Sequence, residues 1–386
     1  MIQLSGRVIE LLPVAGAMPK GKLFKLCEGE APSQDDRHAA FLVRKDSPIP
    51  PGYGTYVAIE GMAGSTIPKL DGTLVRLPLE MGYLGPGDVV RISPKGDQAR
   101  ALYRRISSHN TFLVTERCDN YCVMCSQPPR KIDDDWIIDE ILETIPLIDP
   151  ETRELGFTGG EPTLLRGRFL EVLSACKTHL PKTSIHVLSN GRSFSDASFA
   201  KAWADVDHPD LMVGIPVYSD ISTEHDYVVQ ADGAYDETLR GILNLKRLQQ
   251  RVEIRVVLHR HTCHQLPRLA EFIARNLLFV DHVALMGLEL MGFARANVDN
   301  LWIDPAEYQE ELKAAVRLLD FAGIRTSIYN HQLCVLDPAL WPFAVKSISD
   351  WKNEYHSTCN SCRERERCGG FFASSVARPS SQLHAL

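Results

Sequence analysis

The 386-residue sequence lacks the apolar segments that direct a chain into or across a membrane. No stretch reaches the roughly 18 consecutive apolar residues that a membrane-spanning helix needs. The N-terminus, from Met1 to Arg7, shows no basic stretch that leads into an apolar one, as a secretory signal does. Low-complexity tracts are absent too, and 44% hydrophobic with 24% charged residues is a globular composition. We therefore expect a cytoplasmic protein of two or more folded domains, with no membrane partner.

An excess of positive charge is also missing. The chain has 42 Lys and Arg against 49 Asp and Glu, which gives a formal net charge of -7 at pH 7. Proteins that bind nucleic acid without sequence preference rely on a positive surface, so this balance argues against that partner. The net charge of the whole chain would not reveal a local basic groove.

Cysteine, by contrast, is abundant and clustered. Six of the 10 cysteines fall into two short runs. Disulfide frameworks belong mainly to small secreted domains, so clustered cysteines in a chain of this kind indicate a metal site. Cys27 and Cys176 stand apart from these runs and are interpreted as ordinary thiols.

The first run consists of Cys118, Cys122 and Cys125, with C-x3-C-x2-C spacing. A structural zinc site takes four ligands, whereas three thiolates on a four-iron cluster leave one iron open to a further molecule. The run therefore predicts a reactive iron–sulfur site, and a redox or zinc loop is the alternative.

The pattern of strands and helices changes near residue 108. Residues 1–107 alternate short strands with Gly and Pro turns, which predicts a small β-rich domain, with a barrel as one possible form. Residues 108–325 alternate strands with helices, which predicts an α/β fold with a parallel sheet. Six such units are too few for a closed eight-fold barrel, so we expect a partial (β/α)6 barrel. The six predicted strands lie near 111–115, 155–158, 185–189, 211–217, 252–258 and 282–286.

Polar motifs follow several of these strands, where ligands bind in such folds. The cysteine run follows the first strand, and Gly159-Gly160-Glu161-Pro162 follows the second. The glycines let backbone approach a ligand closely, and Glu161 offers a fixed acceptor for an ammonium group. Ser189 and Asn190 follow the third strand, and Ser219 follows the fourth. Taken alone, Gly159-Gly160-Glu161-Pro162 is equally compatible with an ordinary turn, and so are Ser189 and Asn190.

As a set, these motifs resemble those of the radical S-adenosylmethionine (radical SAM) enzymes over about residues 108–325. The resemblance implies a [4Fe-4S] cluster on the cysteine run, whose open iron chelates the amino and carboxylate groups of SAM. Reductive cleavage of SAM then gives a 5'-deoxyadenosyl radical, which abstracts hydrogen from a substrate. The resemblance also implies the SAM contacts: Glu161 and the backbone of Gly159 and Gly160, followed by Pro162, at the amino group; Ser189 and Asn190 nearby; Ser219 at the ribose or carboxylate; and Met124 against adenine.

Two positions depart from that family. The residue at Met124 is often aromatic there, so adenine would here pack on a thioether. Many peptide-modifying members carry an Arg shortly after the pair that corresponds to His225 and Asp226, where this chain has Val228-Val229-Gln230. The ligand of the SAM carboxylate is therefore unassigned. Without the resemblance, His225 and Asp226 are interpreted as a helix start or a surface pair.

The second cysteine run lies in residues 326–386. Cys359, Cys362 and Cys368 have C-x2-C-x5-C spacing before two glycines, and Cys334 lies upstream. Four thiolates suit structural zinc. The spacing is similar to that of the C-terminal extensions, called SPASM or twitch, of radical SAM peptide maturases. This resemblance implies an auxiliary [4Fe-4S] cluster, and it leaves open whether Cys334 is the fourth ligand.

The run from Thr115 to Pro129 resembles the His-Xaa-Ser system radical SAM maturase (C-type member). That resemblance implies post-translational modification of a ribosomally made precursor peptide, a second radical SAM partner protein, and an electron donor such as flavodoxin or ferredoxin. Two other functions stay open. One is a radical SAM enzyme that acts on a small molecule or a tRNA base. The other is a non-catalytic iron–sulfur or zinc scaffold.

Two further groups of polar residues follow the later strands. His259, His261, Cys263 and His264 form a short cluster that suggests a metal site, and a polar loop is the preferred interpretation. Glu289 and Arg295 follow the sixth strand and either line the mouth of the site or form a surface ion pair.

Overall fold

Two eight-stranded sheets organise the protein. The computed structural model describes residues 4–12, 22–31, 38–45, 47–63, 70–346 and 353–386. The first sheet lies in the N-terminal region and the second in the middle of the chain. This arrangement confirms both the predicted β-rich N-terminal region and the predicted α/β class.

The N-terminal sheet is closed by the first segment of the chain. Residues 5–7 pair with the strand at 98–103, and residues 10–12 pair with the strand at 73–77. One segment therefore joins both edges of the sheet, and side chains such as Phe24, Val57 and Ile92 form its buried core. The strands are β1 (Ser5–Arg7), β2 (Glu10–Leu12), β3 (Lys22–Cys27), β4 (Ala39–Val43), β5 (Thr55–Ile59), β6 (Thr73–Leu77), β7 (Val89–Ile92) and β8 (Gln98–Tyr103).

The second sheet is parallel throughout and follows chain order. It confirms the predicted partial barrel and adds two short strands to the six that were predicted. The strands are β9 (Asn110–Leu113), β10 (Glu154–Thr158), β11 (Ser184–Leu188), β12 (Leu211–Pro216), β13 (Arg251–Leu258), β14 (His282–Gly287), β15 (Thr326–Tyr329) and β16 (Ala344–Val345). The ranges 1–107, 108–325 and 326–386 remain predictions about domains, and β15 begins directly after the second range.

Helices cover the outer face of this sheet. Neighbouring parallel strands must be joined by a crossover connection, and an α-helix usually forms that connection. The helices are α1 (Trp136–Thr144), α2 (Gly167–His179), α3 (Ala197–Val206), α4 (Ser222–Val229), α5 (Ala234–Arg247), α6 (Leu266–Asn276), α7 (Gly292–Ala296), α8 (Val298–Leu301) and α9 (Gln309–Phe321). Asp304 forms an N-cap, as part of a capping box that opens the 3-10 turn Pro305–Tyr308 before α9. Within the ranges described above, none of the helices is long and apolar enough to cross a membrane.

Aromatic packing holds the helices on the sheet. Phe157 of β10 lies 5.8 Å from Phe169 of α2, and Phe169 lies 6.2 Å from Trp203 of α3, between ring centroids. Buried aromatic pairs of this kind add to the stabilisation from burial alone.

Because the strands of the second sheet are parallel, their carboxyl ends share one edge, where the loops that carry the motifs meet. The C-terminal region adds the two-residue strands β17 (Asn353–Glu354) and β18 (Phe371–Phe372).

Candidate active site

A cavity of about 520 Å³ opens at the carboxyl edge of the parallel sheet. We call it the main cavity. Eight of the predicted site residues line it together: Cys118, Cys122, Met124, Cys125, Gly159, Gly160, Ser189 and Asn190. Of the other predicted SAM contacts, Glu161, Pro162 and Ser219 lie outside this lining.

The loop of the first three cysteines is held by two helices. The N–H of Val123 donates to the carbonyl of Val228 at the end of α4 (3.0 Å), and the side chain of Asn297 donates to the carbonyl of Val123 (2.8 Å). The N–H of Phe293 in α7 donates to the carbonyl of Cys125 (2.8 Å). These hydrogen bonds hold the backbone of this loop against α4 and α7.

Arg192 ties the same loop to the end of β11. Its guanidinium donates to the carbonyl of Asp119 (2.9 Å) and to the side-chain oxygen of Asn120 (2.8 Å), and Nε donates to Glu237 (2.6 Å). Sequence reasoning missed this residue. Its one signal is that it directly follows the Ser189-Asn190-Gly191 turn.

The two glycines after β10 are required for close packing of two loops. The N–H of Gly160 donates to the carbonyl of Thr115 at 2.7 Å. A Cβ on Gly160 would lie 2.0 Å from the carbonyl oxygen of Arg117, and one on Gly159, whose φ is +143°, would lie 2.4 Å from that of Thr115. Backbone thus approaches backbone here, just before Cys118, and both glycines also face the main cavity.

Glu161 is fully buried and joins the loops after β10 and β11. Its Oε1 accepts hydrogen bonds from the N–H (3.0 Å) and the hydroxyl (2.6 Å) of Thr163 and from the hydroxyl of Ser189 (2.8 Å). Its Oε2 accepts from the N–H of Asn190 (2.5 Å). Burial raises the pKa of Glu161, while these hydrogen bonds favour the carboxylate. Its contact with the SAM amino group remains a prediction.

Ser219 is buried in a polar network beside α4. Its hydroxyl donates to Glu224 (2.6 Å) and accepts from the N–H of Ile221 (3.1 Å). Its predicted contact with SAM remains a prediction. The neighbouring Tyr218 does line the main cavity, and its N–H donates to Nδ1 of His225, which is buried within α4.

Burial governs the charge of the first three cysteines. It raises the pKa of Cys122 to about 12 and also raises the pKa values of Cys118 and Cys125. Burial makes a negatively charged thiolate costly, so these thiols ionise only when a bound cation compensates for that cost. Metal binding at this site therefore releases protons. Three such thiols on one cavity wall fit an iron–sulfur cluster, in which each thiolate takes its own iron.

The barrel strand β13 contributes a polar floor beneath the main cavity. Arg255 lines the cavity, and its guanidinium donates to Glu253 (2.7 Å) and contacts the sulfur of Met286 (2.9 Å). Glu253 is buried and lies 2.6 Å from Nδ1 of His282. Sequence reasoning did not single out these residues. The available signal was two charged residues at alternate positions of a buried strand.

The second group of cysteines surrounds a smaller cavity, which we call the second cavity. Cys334, Cys359, Cys362 and Cys368 all line it, as do Leu383, His384 and Leu386. Burial raises the pKa values of Cys334 and Cys359. The hydroxyl of Ser380 donates to Asp304 (2.5 Å), which anchors the segment that covers this cavity. In the part of the chain that the structure describes, no three His, Cys, Asp or Glu side chains form a single-ion site.

Of the two remaining polar groups, the one from His259 to His264 lies outside the lining of both cavities. His259 and Cys263 are buried, and His261 is part of a ring contact with Tyr227. Glu289 lines the main cavity, as predicted for one of its two interpretations, whereas Arg295 belongs to α7.

A parallel partial barrel that presents three loop cysteines beside two glycines is the arrangement of a radical SAM domain. Residues 112–273 match the Radical SAM superfamily. The chain therefore contains a radical SAM domain over these residues. A comparison with curated proteins finds no match.

Several solved structures have a partly similar fold. Streptococcus suis SuiB bound to S-adenosylmethionine aligns with a TM-score of 0.44 and 14% identity, over 56% of this chain and 49% of that one. Native anSMEcpe with bound AdoMet gives 0.44 and 17%, over 56% and 62%. Methylornithine synthase (PylB) gives 0.40 and 15%, over 57% and 63%. This chain thus spans about half of SuiB and less than two thirds of the other two.

Proposed function

We propose that the protein is a radical SAM peptide maturase with an auxiliary [4Fe-4S] cluster. The observation that carries this proposal is that residues next to both cysteine groups line the main cavity. Cys118, Cys122 and Cys125 lie on its wall directly, and so do Asn330 and Phe372. Asn330 is four residues from Cys334, and Phe372 is four residues from Cys368.

Those short connections keep the two sites close. Four residues of extended chain span at most about 14 Å. In addition, the side chain of Gln332 donates to the carbonyl of Gly370 (2.7 Å), which joins the two connections. A substrate in the main cavity would therefore lie between the first cysteine site and the second.

Different residues have different proposed roles at the first cysteine site. When bound, a [4Fe-4S] cluster and SAM supply a 5'-deoxyadenosyl radical that takes a hydrogen atom from the substrate. Cys118, Cys122 and Cys125 would hold the cluster. Gly159 and Gly160, with Glu161 and Pro162 behind them, would hold the amino group of SAM. Met124, Ser189, Asn190 and Ser219 are the remaining proposed contacts.

The shape of the main cavity supports a peptide as the substrate. Its wall combines the barrel with Leu102 and Arg104 from the end of the N-terminal sheet and with Phe372 from the C-terminal region. Three separated parts of the chain thus offer contacts to one extended ligand. The second radical SAM protein and an electron donor such as flavodoxin or ferredoxin complete the proposal, on the strength of the family resemblance.

The proposal is tested in two stages. The full chain is reconstituted anaerobically with iron and sulfide, and 5'-deoxyadenosine is measured after SAM and a strong reductant are added. We expect SAM cleavage and about eight irons per chain, as two four-iron clusters require. Iron at the first site without SAM cleavage would end the enzymatic proposal. About four irons with one zinc would replace the auxiliary cluster by structural zinc.

The second stage concerns the peptide. The protein is co-expressed with each small open reading frame that neighbours its gene, and the peptides are examined by mass spectrometry. We expect one peptide to change mass through loss of hydrogen or formation of a new bond, and to remain unmodified with Cys125→Ala. SAM cleavage without modification of any such peptide would favour a small molecule or a tRNA base as the substrate.

A further inference from the structure

The floor of the main cavity carries a cation for which the fold reserves space. Arg255 reaches the cavity from β13, and its side chain is 14% exposed. On the neighbouring strand β12, Gly214 pairs with Glu253, and a Cβ on this glycine would lie 2.8 Å from Cδ of Arg255. An ordinary side chain at position 214 would therefore displace this arginine.

The guanidinium of Arg255 is only partly occupied by strong acceptors. It has five N–H donors in a planar fork. Nη1 donates to Glu253 at 2.7 Å, whereas Nη2 contacts the thioether sulfur of Met286 at 2.9 Å. A thioether is a weak acceptor. One arm of the fork at the cavity wall thus faces a partner that a carboxylate would readily replace.

The negative charge behind Arg255 is shared among several groups. Glu253 is buried, lies outside the cavity lining, and has Nδ1 of His282 at 2.6 Å and Nε2 of His186 at 3.4 Å. Arg255 and Glu253 lie on the same face of β13, and of this pair only the cation reaches the cavity wall. Among the described residues that line the cavity, the charged side chains other than the cysteines are two arginines, Arg104 and Arg255, and one glutamate, Glu289. The balance favours an anionic ligand.

We propose that Arg255 binds the carboxylate of an aspartate or glutamate side chain of the substrate peptide, an inference that rests on the proposed function. The carboxylate of SAM is the other source of the same chemistry, and the measurements below distinguish the two.

The test measures which peptides the enzyme retains. The reconstituted full chain with SAM bound is mixed with two sets of capped hexapeptides, random at every position but one. That position is Glu in one set and Gln in the other, and retained peptides are measured by ultrafiltration and mass spectrometry. We expect the Glu set to be retained about tenfold more strongly, the size of a charge-assisted hydrogen bond.

Matched variants assign that preference to Arg255. Arg255→Gln combined with Glu253→Gln keeps the floor neutral and should abolish the preference. Arg251→Gln removes a solvent-exposed arginine of the same strand, paired with Asp210, and should leave the preference intact. Equal retention of both sets by the wild type overturns the inference, as does a preference that survives in the double variant.

The affinity for SAM distinguishes the two carboxylates. We expect the double variant to bind SAM as the wild type does, and a loss of about tenfold would assign Arg255 to SAM and overturn the inference. The 5'-deoxyadenosine assay is run on the same samples. Wild-type protein that cleaves SAM but shows no Glu preference refutes this inference alone. Absence of SAM cleavage refutes the proposed function instead.

Discussion

The two groups of cysteines differ more in their surroundings than in their ligands. Cys118, Cys122 and Cys125 lie on a loop that two helices and Arg192 hold at the edge of an eight-stranded sheet. Cys359, Cys362 and Cys368 lie in a C-terminal region whose described strands, β17 and β18, have two residues each. The first group faces a cavity of about 520 Å³. The second surrounds a small cavity that residues 383–386 help to cover.

In the proposed function, the two groups serve different purposes. A cluster held by three thiolates beside the main cavity would leave room for a molecule on the fourth iron. A cluster in the small, covered second cavity would leave no such room. We therefore expect changes at the first group to abolish the start of the reaction, and changes at the second to affect a later part of it.

The largest effect is expected for Cys125→Ala. Loss of one of three thiolates should remove the first cluster and abolish formation of 5'-deoxyadenosine. Cys27→Ala is the matched control, since Cys27 is also partly buried but lies in the N-terminal sheet. Full SAM cleavage in Cys125→Ala would show that the first group does not hold the cluster.

Gly160→Ala should nearly match that loss without removing a ligand. Its Cβ would lie 2.0 Å from the carbonyl oxygen of Arg117, so the loop before Cys118 must shift. We expect the free energy of unfolding to fall by about 3 kcal/mol and iron loading to fall with it. Gly167→Ala has no heavy atom within 4 Å of its new Cβ and should be neutral or slightly stabilising. Equal melting temperatures for the two variants would contradict the packing argument.

Cys362→Ala should have a partial effect. Iron content should fall from about eight to about four per chain, while some 5'-deoxyadenosine formation persists and peptide modification is lost. The measurements are iron and zinc analysis alongside the SAM assay. Unchanged iron with loss of zinc would identify the second site as structural zinc, and complete loss of SAM cleavage would remove the distinction between the two groups.

Arg192→Ala tests whether the first loop is preorganised. The change removes hydrogen bonds to Asp119, Asn120 and Glu237, so we expect the free energy of unfolding to fall by about 1–3 kcal/mol. Iron should also be lost faster to a chelator. Arg168→Ala, which removes an exposed arginine that pairs with Asp139 and Glu171, is the control. Identical rates of iron loss in both variants would show that the metal alone orders the loop.

The smallest effect is expected for Ser380→Ala at the second group. It removes the hydrogen bond to Asp304 and should cost about 1 kcal/mol, with faster bleaching of the second cluster in air. The first cluster should bleach at its usual rate. Ser174→Ala, on the exposed face of α2, is the control. Equal bleaching of both clusters would show that residues 383–386 do not protect the second site.

The reliable predictions from sequence were those that follow from local order along the chain. A motif directly after a strand reaches the carboxyl edge of a parallel sheet, and Cys118, Gly159 and Ser189 all line the main cavity there, while their roles stay predictions. Residues 326–329 are a candidate strand from sequence as well, but they were assigned to the C-terminal region, whereas β15 pairs with β14 in the barrel sheet. The strand β16 was not predicted, because two residues show too little alternation. Arg192 was missed because its role in holding the cysteine loop depends on which loops become neighbours in the fold.

The space that Gly214 leaves for Arg255 also has a consequence for evolution. The two positions lie on adjacent strands, and a side chain at position 214 would compete with the arginine at 255 for the same space. In an alignment of related sequences, positions 214 and 255 should therefore covary. Lineages that gain even an alanine at 214 should have lost the arginine at 255, and their substrates should have changed with it.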